Sequence, residues 1–215
     1  VPPGLFLPAA ERYSLSNRID AWVVDAAFAW LEQHPEHVAE LESCSINLSG
    51  LSVGNPQFLE YLVEKCRNTI IPPEKLCFEI TETAAIAKLS EAEKFIGALK
   101  GMGCQFALDD FGAGFSSFAY LKHLPVDKLK IDGAFVQGMA SSQIDQAMVQ
   151  SMNQVAHALG KLTIAEYVQD AATLELLRRY GVDYAQGNYI GKPREALMSI
   201  PRPPASRPQA LRRAE

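Results

Sequence analysis

Short apolar runs alternate with longer amphipathic stretches along most of the chain. The short runs are rich in β-branched and aromatic residues, as strands are, whereas the longer stretches repeat apolar residues at the helical period. The predicted strands are residues 44–48, 76–80, 105–109, 128–131, 162–166 and 183–186. The predicted helices are residues 17–33, 56–67, 90–102, 116–121, 144–159 and 171–180. This alternation predicts an α/β fold with a parallel sheet, either a (β/α) barrel or a doubly wound sheet.

Polar side chains lie near the carboxyl end of every predicted strand. In chain order they are Asn47, Glu79 with Glu82 just beyond it, Asp109 and Asp110, Lys130, Glu166 and Gln186. Each of them alone has a simple explanation as a turn or surface residue. Their shared position is better explained by one shared site, because the carboxyl ends of barrel strands meet on one face. In a doubly wound sheet only the residues beside the switch point would meet.

Asp109 and Asp110 open onto a glycine-rich segment, residues 111–117, with the sequence FGAGFSS. Two adjacent carboxylates repel each other, so a bound cation is the usual reason to find them together. Oxygen ligands without cysteine or histidine favour Mg²⁺ or Mn²⁺ over zinc. Asp and Gly are also common in plain turns, so this segment alone leaves a turn as the alternative. The other polar strand ends favour the metal site.

The bulk composition narrows the class of protein. The chain has 215 residues, enough for one sizeable domain, and its charged fraction of 21% is ordinary for a globular protein. A net charge of −5 argues against DNA binding, which needs a basic face. Four cysteines without close-paired spacing indicate a reducing, cytoplasmic compartment. No apolar run is long enough for membrane insertion by this segment.

Several blocks of the sequence resemble EAL domains, the bacterial phosphodiesterases that cleave the second messenger cyclic di-GMP. The blocks are residues 4–11, 45–49 (SINLS), 77–83 (CFEITET), 108–117 (LDDFGAGFSS), 124–132 (LPVDKLKID), 164–168 (IAEYV), 184–187 (YAQG) and 191–193 (GKP). They are spread over nearly the whole chain apart from residues 199–215. That last stretch is rich in Pro and Arg and lacks apolar periodicity, so we expect a disordered tail there after a domain over residues 1–198.

The resemblance implies a TIM-like (β/α) barrel of EAL type with one antiparallel strand. It also implies Mg²⁺- or Mn²⁺-dependent hydrolysis of cyclic di-GMP to linear pGpG. The metal ligands that it implies are Asn47, Glu79, Asp109, Asp110 and Glu166. The catalytic residues that it implies are Lys130, Glu166 and Asp110. Gln186, Ile190 and Pro193 would bind substrate, and Glu82, Gly112, Gly114 and Ser116 would control the loop.

This sequence departs from the family pattern at a few positions. The strand that carries the Glu-Ala-Leu motif would precede Val1, so the resemblance implies a domain that is truncated at its N-terminus and that is expected to lack one metal ligand. Gln169 stands where the family usually has Glu, Tyr167 where it often has Gly, and Ile190 where an aromatic residue often stacks on guanine. A cyclic di-GMP phosphodiesterase is the favoured interpretation. The alternatives are a degenerate, non-catalytic cyclic di-GMP receptor and a barrel used as a signalling platform.

The resemblance also implies partners and a location. Besides cyclic di-GMP, we expect a second copy of the chain in a homodimer, and cyclase-like and sensor domains upstream in the same protein. The expected location is the cytoplasm, including the cytoplasmic part of a membrane-anchored protein.

Overall fold

Two units divide the chain between them in this computed structural model, which describes residues 3–114, 118–193 and 212–213. The first unit comprises residues 1–106 and 123–125, and the second comprises residues 107–122 and 126–215. Each unit contains parallel strands with helices in the connections between them, as expected for βα repeats.

The first unit is built on two parallel strands. They are β1 (Cys44–Asn47) and β2 (Leu76–Thr81), paired in a register that runs from Cys44 opposite Leu76 to Asn47 opposite Glu79. The helices of this unit are α1 (Pro3–Arg12), α2 (Ser16–Gln33), α3 (Pro35–Glu40), α4 (Gly50–Val53), α5 (Pro56–Asn68), α6 (Glu82–Ala87) and α7 (Leu89–Lys100). A 3₁₀ turn at Pro73–Lys75 leads into β2.

A cluster of phenylalanine rings forms part of the core of the first unit. Phe95 of α7 stacks on Phe58 of α5 and meets Phe106 edge to face, with ring centroids 6.5 and 6.2 Å away. Phe78 of β2 also contacts Phe106, with centroids 5.7 Å apart. All four rings are buried. Aromatic contacts of this kind fix the helices against the sheet more specifically than aliphatic packing does.

The second unit contains the remaining strands, all paired in parallel. They are β3 (Gln105–Phe111, which begins in the first unit), β4 (Lys128–Ile131), β5 (Leu162–Ala165), β6 (Tyr184–Ala185) and β7 (Arg212–Arg213), each paired with the next. The helices are α8 (Gly133–Val136), α9 (Gln143–Ala158) and α10 (Ala171–Tyr180), and a 3₁₀ turn covers Phe118–Lys122. The short β4 is buried along its whole length although it contains two lysines.

Side-chain hydrogen bonds join α9, β5 and the end of α10. Asn153 of α9 accepts a hydrogen bond from Thr163 Oγ1 of β5 at 2.5 Å and donates one to the carbonyl of Tyr180 at 2.9 Å. Asp183 accepts from the Thr163 backbone N–H at 2.8 Å and lies 2.8 Å from His157 Nε2. The bond between Asn153 and Thr163 is buried and satisfies polar groups that would otherwise lack partners in the interior. Together these bonds fix the position of β5.

The predicted elements agree with the structure to within a few residues, with some exceptions. The helix predicted at 116–121 is a 3₁₀ turn at Phe118–Lys122, and residues 116–117 lie outside the described part of the chain. Five helices have no counterpart in the prediction, namely α1, α3, α4, α6 and α8. Three of these are only four or six residues long and follow a strand closely. Such short segments show too little periodicity to be recognised.

Two parts of the predicted architecture are not tested by these residues. The described pairs, β1 with β2 and each neighbouring pair from β3 to β7, are all parallel, so the implied antiparallel strand is not among them. Most of the predicted tail at 199–215 lies outside the described residues, and Arg212–Arg213 pairs with β6. Within the described residues, no helix is both long and apolar enough to cross a membrane.

We predict that Asn153→Ala lowers the free energy of unfolding by about 1–3 kcal/mol, because buried hydrogen-bonding groups lose their partners. Urea unfolding followed by circular dichroism measures the change. The matched control is Gln150→Ala on the exposed side of the same helix, for which we expect a change within about 0.5 kcal/mol. Equal effects of the two substitutions would contradict a stabilising role for the Asn153 hydrogen bonds.

Candidate functional site

A β-bulge in β3 places Asp109 and Asp110 side by side. Leu108 pairs with Leu129 and Phe111 pairs with Ile131, so β3 advances by three residues while β4 advances by two. Asp110 has a φ of 57°, which is left-handed, and its N–H donates to Asp109 Oδ1 at 3.0 Å. In a regular strand, neighbouring side chains point to opposite faces of the sheet. The bulge suspends this alternation and allows both carboxylates to serve one site.

Glu166 completes a cluster of three carboxylates in the second unit. It directly follows β5, and its N–H donates to the carbonyl of Ile131 at the end of β4. One carboxylate oxygen from each of Asp109, Asp110 and Glu166 lies within 4.8 Å of the other two. Asp110 is exposed, whereas Glu166 is buried. Oxygen atoms at this spacing are suitable ligands for a hard divalent cation.

Lys130 lies between two of these carboxylates. Its Nζ is 3.0 Å from Asp109 Oδ1 and 2.9 Å from Glu166 Oε1. The lysine side chain is 4% exposed, so water screens the two ion pairs only weakly. The resemblance implies that Lys130 is a catalytic residue, and the structure shows that its ammonium is held by two carboxylates of the cluster.

The charges of this cluster fit a divalent cation. Counted by formal charge, the three carboxylates and the Lys130 ammonium sum to −2 for these four side chains. A divalent cation is compatible with this sum, and the three carboxylates offer oxygen atoms, the ligands that hard cations prefer.

Asn47 and Glu79 are brought together in the first unit. They are direct register partners at the carboxyl ends of β1 and β2, and directly opposed side chains of parallel strands project from the same face. Glu79 is buried and Asn47 is exposed. Glu82 is also buried and is the first residue of α6, whose N-cap is Thr81. A carboxylate at a helix N-terminus is favoured by the helix dipole.

The residues predicted to control the glycine-rich loop are described only in part. Gly112 has a φ of 96°, and a Cβ atom at this position would lie 2.4 Å from Met152 Cε. The left-handed backbone conformation therefore favours glycine, and a side chain here would also displace the flexible end of Met152. Gly114 is exposed, and Ser116 lies outside the described residues. A controlling role for these residues and for Glu82 stays a prediction.

The predicted substrate-binding residues follow β6. The Gln186 N–H donates to the carbonyl of Ala165 at 2.8 Å, and its carbonyl accepts from Val168 at 2.9 Å. These bonds hold Gln186 beside the segment that contains Glu166. The Gln186 side chain is exposed, Ile190 is half-buried and Pro193 is exposed. These three residues are therefore accessible to a nucleotide. Their role in substrate binding stays a prediction.

Neither the bulge nor a second left-handed residue beside the cluster was predicted from the sequence. Tyr167, directly after Glu166, has a φ of 53° and is 56% exposed. An aromatic residue is rare in this conformation. The left-handed backbone at Tyr167 could have been suspected from the resemblance, because the family often has Gly at this position.

Comparisons with known proteins assign the family. The family model described as EAL domain matches residues 1–193. The chain is 41% identical over 191 residues to the cyclic di-GMP phosphodiesterase PdeB of Shewanella oneidensis, covering 89% of this chain and 22% of that protein. It is 35% identical to the cyclic di-GMP phosphodiesterase PdeF of Escherichia coli, covering 93% of this chain and 27% of that protein. The chain therefore spans about a quarter of the length of these curated relatives.

Solved structures confirm the predicted fold class. The crystal structure of the FimX EAL domain from Pseudomonas aeruginosa bound to c-di-GMP matches with a TM-score of 0.83 and 33% identity, covering 91% of this chain and 78% of that chain. The fold is thus the TIM-like (β/α) type that was predicted. With the family model matching most of its length, the chain belongs to the EAL domain family.

Proposed function

We propose that this chain is the catalytic domain of a metal-dependent phosphodiesterase that hydrolyses cyclic di-GMP to linear pGpG. The observation that carries the proposal is the cluster of Asp109, Asp110 and Glu166 around the buried Lys130. The names of the curated relatives, PdeB and PdeF among them, support the choice of substrate.

The three carboxylates of the cluster are the proposed ligands of Mg²⁺ or Mn²⁺. By resemblance to the family, Asn47 and Glu79 are proposed as further oxygen ligands. A bound divalent cation would lower the pKa of a water ligand and neutralise charge on a phosphodiester.

The protein side chains have separable tasks in this proposal. Asp109 and Glu166 hold the Lys130 ammonium at a fixed place, so that it can stabilise negative charge as it develops on the phosphate. Because these carboxylates are already positioned, little reorganisation is needed during the reaction. Asp110 is the exposed member of the cluster, and we assign it the role of accepting the proton of the attacking water.

The remaining roles are proposed from the family resemblance. Gln186, Ile190 and Pro193 would contact the nucleotide, while Glu82, Gly112, Gly114 and Ser116 would couple the loop to the site. A homodimer, upstream cyclase-like and sensor domains, and a cytoplasmic location are likewise part of the proposal.

A non-catalytic cyclic di-GMP receptor is the second candidate. The observation in its favour is Gln169, an exposed amide at a position where the family usually has Glu. If a carboxylate at this position were essential for activating water, binding would persist without hydrolysis. Turnover of cyclic di-GMP to pGpG in the presence of Mn²⁺, followed by chromatography of the products, separates the two candidates. Binding without turnover would select the receptor.

We predict that Asp109→Asn abolishes measurable turnover and weakens Mn²⁺ binding, because the cluster loses a charged ligand at the bulge. Glu166→Gln should have a similar effect. Turnover is measured by chromatography of pGpG, and Mn²⁺ affinity by electron paramagnetic resonance of free Mn²⁺.

The matched control for these carboxylate substitutions is Glu175→Gln. Glu175 lies on α10 with its side chain 65% exposed, and its substitution should leave both turnover and Mn²⁺ affinity unchanged. Wild-type activity of Asp109→Asn would show that the cluster is not the active site.

For Lys130→Met we predict opposite effects on catalysis and on metal binding. Turnover should fall at least about 100-fold, as when a charge-stabilising donor is removed from an active site. Mn²⁺ affinity should rise, because Asp109 and Glu166 no longer share their oxygens with an ammonium. The control is Lys94→Met, an exposed lysine of α7, for which neither quantity should change. Weaker Mn²⁺ binding by Lys130→Met would contradict the charge balance described above.

A further inference from the structure

Tyr167 adopts a backbone conformation that disfavours its own residue type. Among the described residues, the non-glycine residues with positive φ are Ser14, Asp110 and Tyr167. Two of these three belong to the acidic cluster or adjoin it, since Tyr167 directly follows Glu166. Bulky side chains avoid the left-handed region for steric reasons, and such outliers are concentrated at functional sites. We therefore expect the unfavourable backbone conformation of Tyr167 to be offset by a contact of its side chain.

The Tyr167 ring lies on the backbone of Gly133. A Cβ atom at position 133 would be 2.3 Å from Tyr167 Cδ2 and 2.7 Å from its Cγ, so the ring occupies the space that any other residue would fill. Gly133 begins α8 directly after Asp132, and β4 with Lys130 ends just before it. The contact thus joins the segment after β5 to the segment after β4. These are the strands whose carboxyl ends provide Glu166 and Lys130.

The Cβ, Cγ and Cδ2 side of Tyr167 is thus packed against Gly133, and the residue is still 56% exposed. An aromatic ring that is packed on one side and open to solvent elsewhere can stack on a nucleobase. In a nucleotide a single sugar joins base and phosphate, so a base of a phosphodiester bound at the cluster would come close to the neighbouring segments.

We infer that Tyr167 is a specificity-determining residue that stacks on a purine base of the bound cyclic dinucleotide, with Gly133 as the support for its ring. This inference rests on the proposed function and adds a base-binding element to it. It also provides an aromatic surface in a chain that has Ile190 where an aromatic residue is often found in the family. The competing explanation is that Tyr167 only packs on Gly133 and stabilises the fold.

The test compares Tyr167→Gly and Tyr167→Phe with the wild-type protein. Tyr167→Gly removes the ring and also relieves the left-handed strain, so the variant is expected to fold. We expect its KM for cyclic di-GMP to rise about 5- to 100-fold, the loss typical of one stacked base. We expect kcat and Mn²⁺ affinity to be unchanged, because stacking contributes equally to the ground state and the transition state. Tyr167→Phe keeps the ring and should retain the wild-type KM.

Gly133→Ala tests the support of the ring independently. Its Cβ atom would displace the Tyr167 ring, while alanine suits the start of a helix. We expect this substitution to raise KM in the wild-type protein and to have no effect in the Tyr167→Gly variant. Such a result would demonstrate energetic coupling between the two positions. The control is Tyr13→Gly, which removes a 72% exposed tyrosine in the first unit and should leave KM unchanged.

The outcomes distinguish this inference from the proposed function. If the wild-type protein hydrolyses cyclic di-GMP and Tyr167→Gly has the same KM, stacking is refuted and the phosphodiesterase stands. A fall in kcat or Mn²⁺ affinity without a change in KM would also refute stacking, because the ring would then act through Glu166. If the wild-type protein neither binds nor hydrolyses cyclic di-GMP, both proposals are wrong.

Discussion

The Lys130 ammonium between Asp109 and Glu166 is the interaction on which the rest of the site depends. Lys130 lies on a fully buried strand, where an unpaired ammonium would be strongly unfavourable. Its two carboxylate partners come from the strands on either side, so the pairing requires β3, β4 and β5 to be in the observed register. A shift of one residue in any of them would direct the charged side chains to the opposite face of the sheet. The charge balance of the site therefore depends on the register of these three strands.

That constraint explains the local irregularity of β3. A regular strand could present only one of two consecutive aspartates to Lys130 and Glu166. β3 overcomes this limit with an extra residue between Leu108 and Phe111 and with a left-handed φ at Asp110. This conformation costs backbone strain. Aspartate tolerates this conformation better than most residues, because its short side chain can interact with local backbone groups. The bond from the Asp110 N–H to Asp109 Oδ1 is an interaction of that kind.

The sequence was sufficient to locate the strands and to list the polar residues at their carboxyl ends. Residues 105–109 contain an apolar run, and residues 128–131 alternate lysine with apolar residues; both patterns predict strands, and parallel pairing then brings their ends to one edge. The sequence could not reveal how Asp109 and Asp110 share one face, because a bulge depends on the register between strands and not on local composition. It also could not reveal the four-residue helices α4 and α8, which complete barely one helical turn. For Tyr167 the residue type was visible, but its left-handed backbone and its contact with Gly133 are properties of the folded chain.

The position of Lys130 also bears on the choice between an enzyme and a receptor. A receptor needs only favourable contacts with the ligand, and a lysine at the surface would provide attraction to a phosphate without the cost of burial. Lys130 is instead buried and held by two carboxylates, which weakens its ground-state attraction for an anion. Such an arrangement is an advantage mainly where charge increases during a reaction, because a fixed donor then stabilises the transition state more than the substrate. The cost of burying and anchoring this lysine is thus best explained by catalysis. For this physical reason the phosphodiesterase is favoured over the receptor.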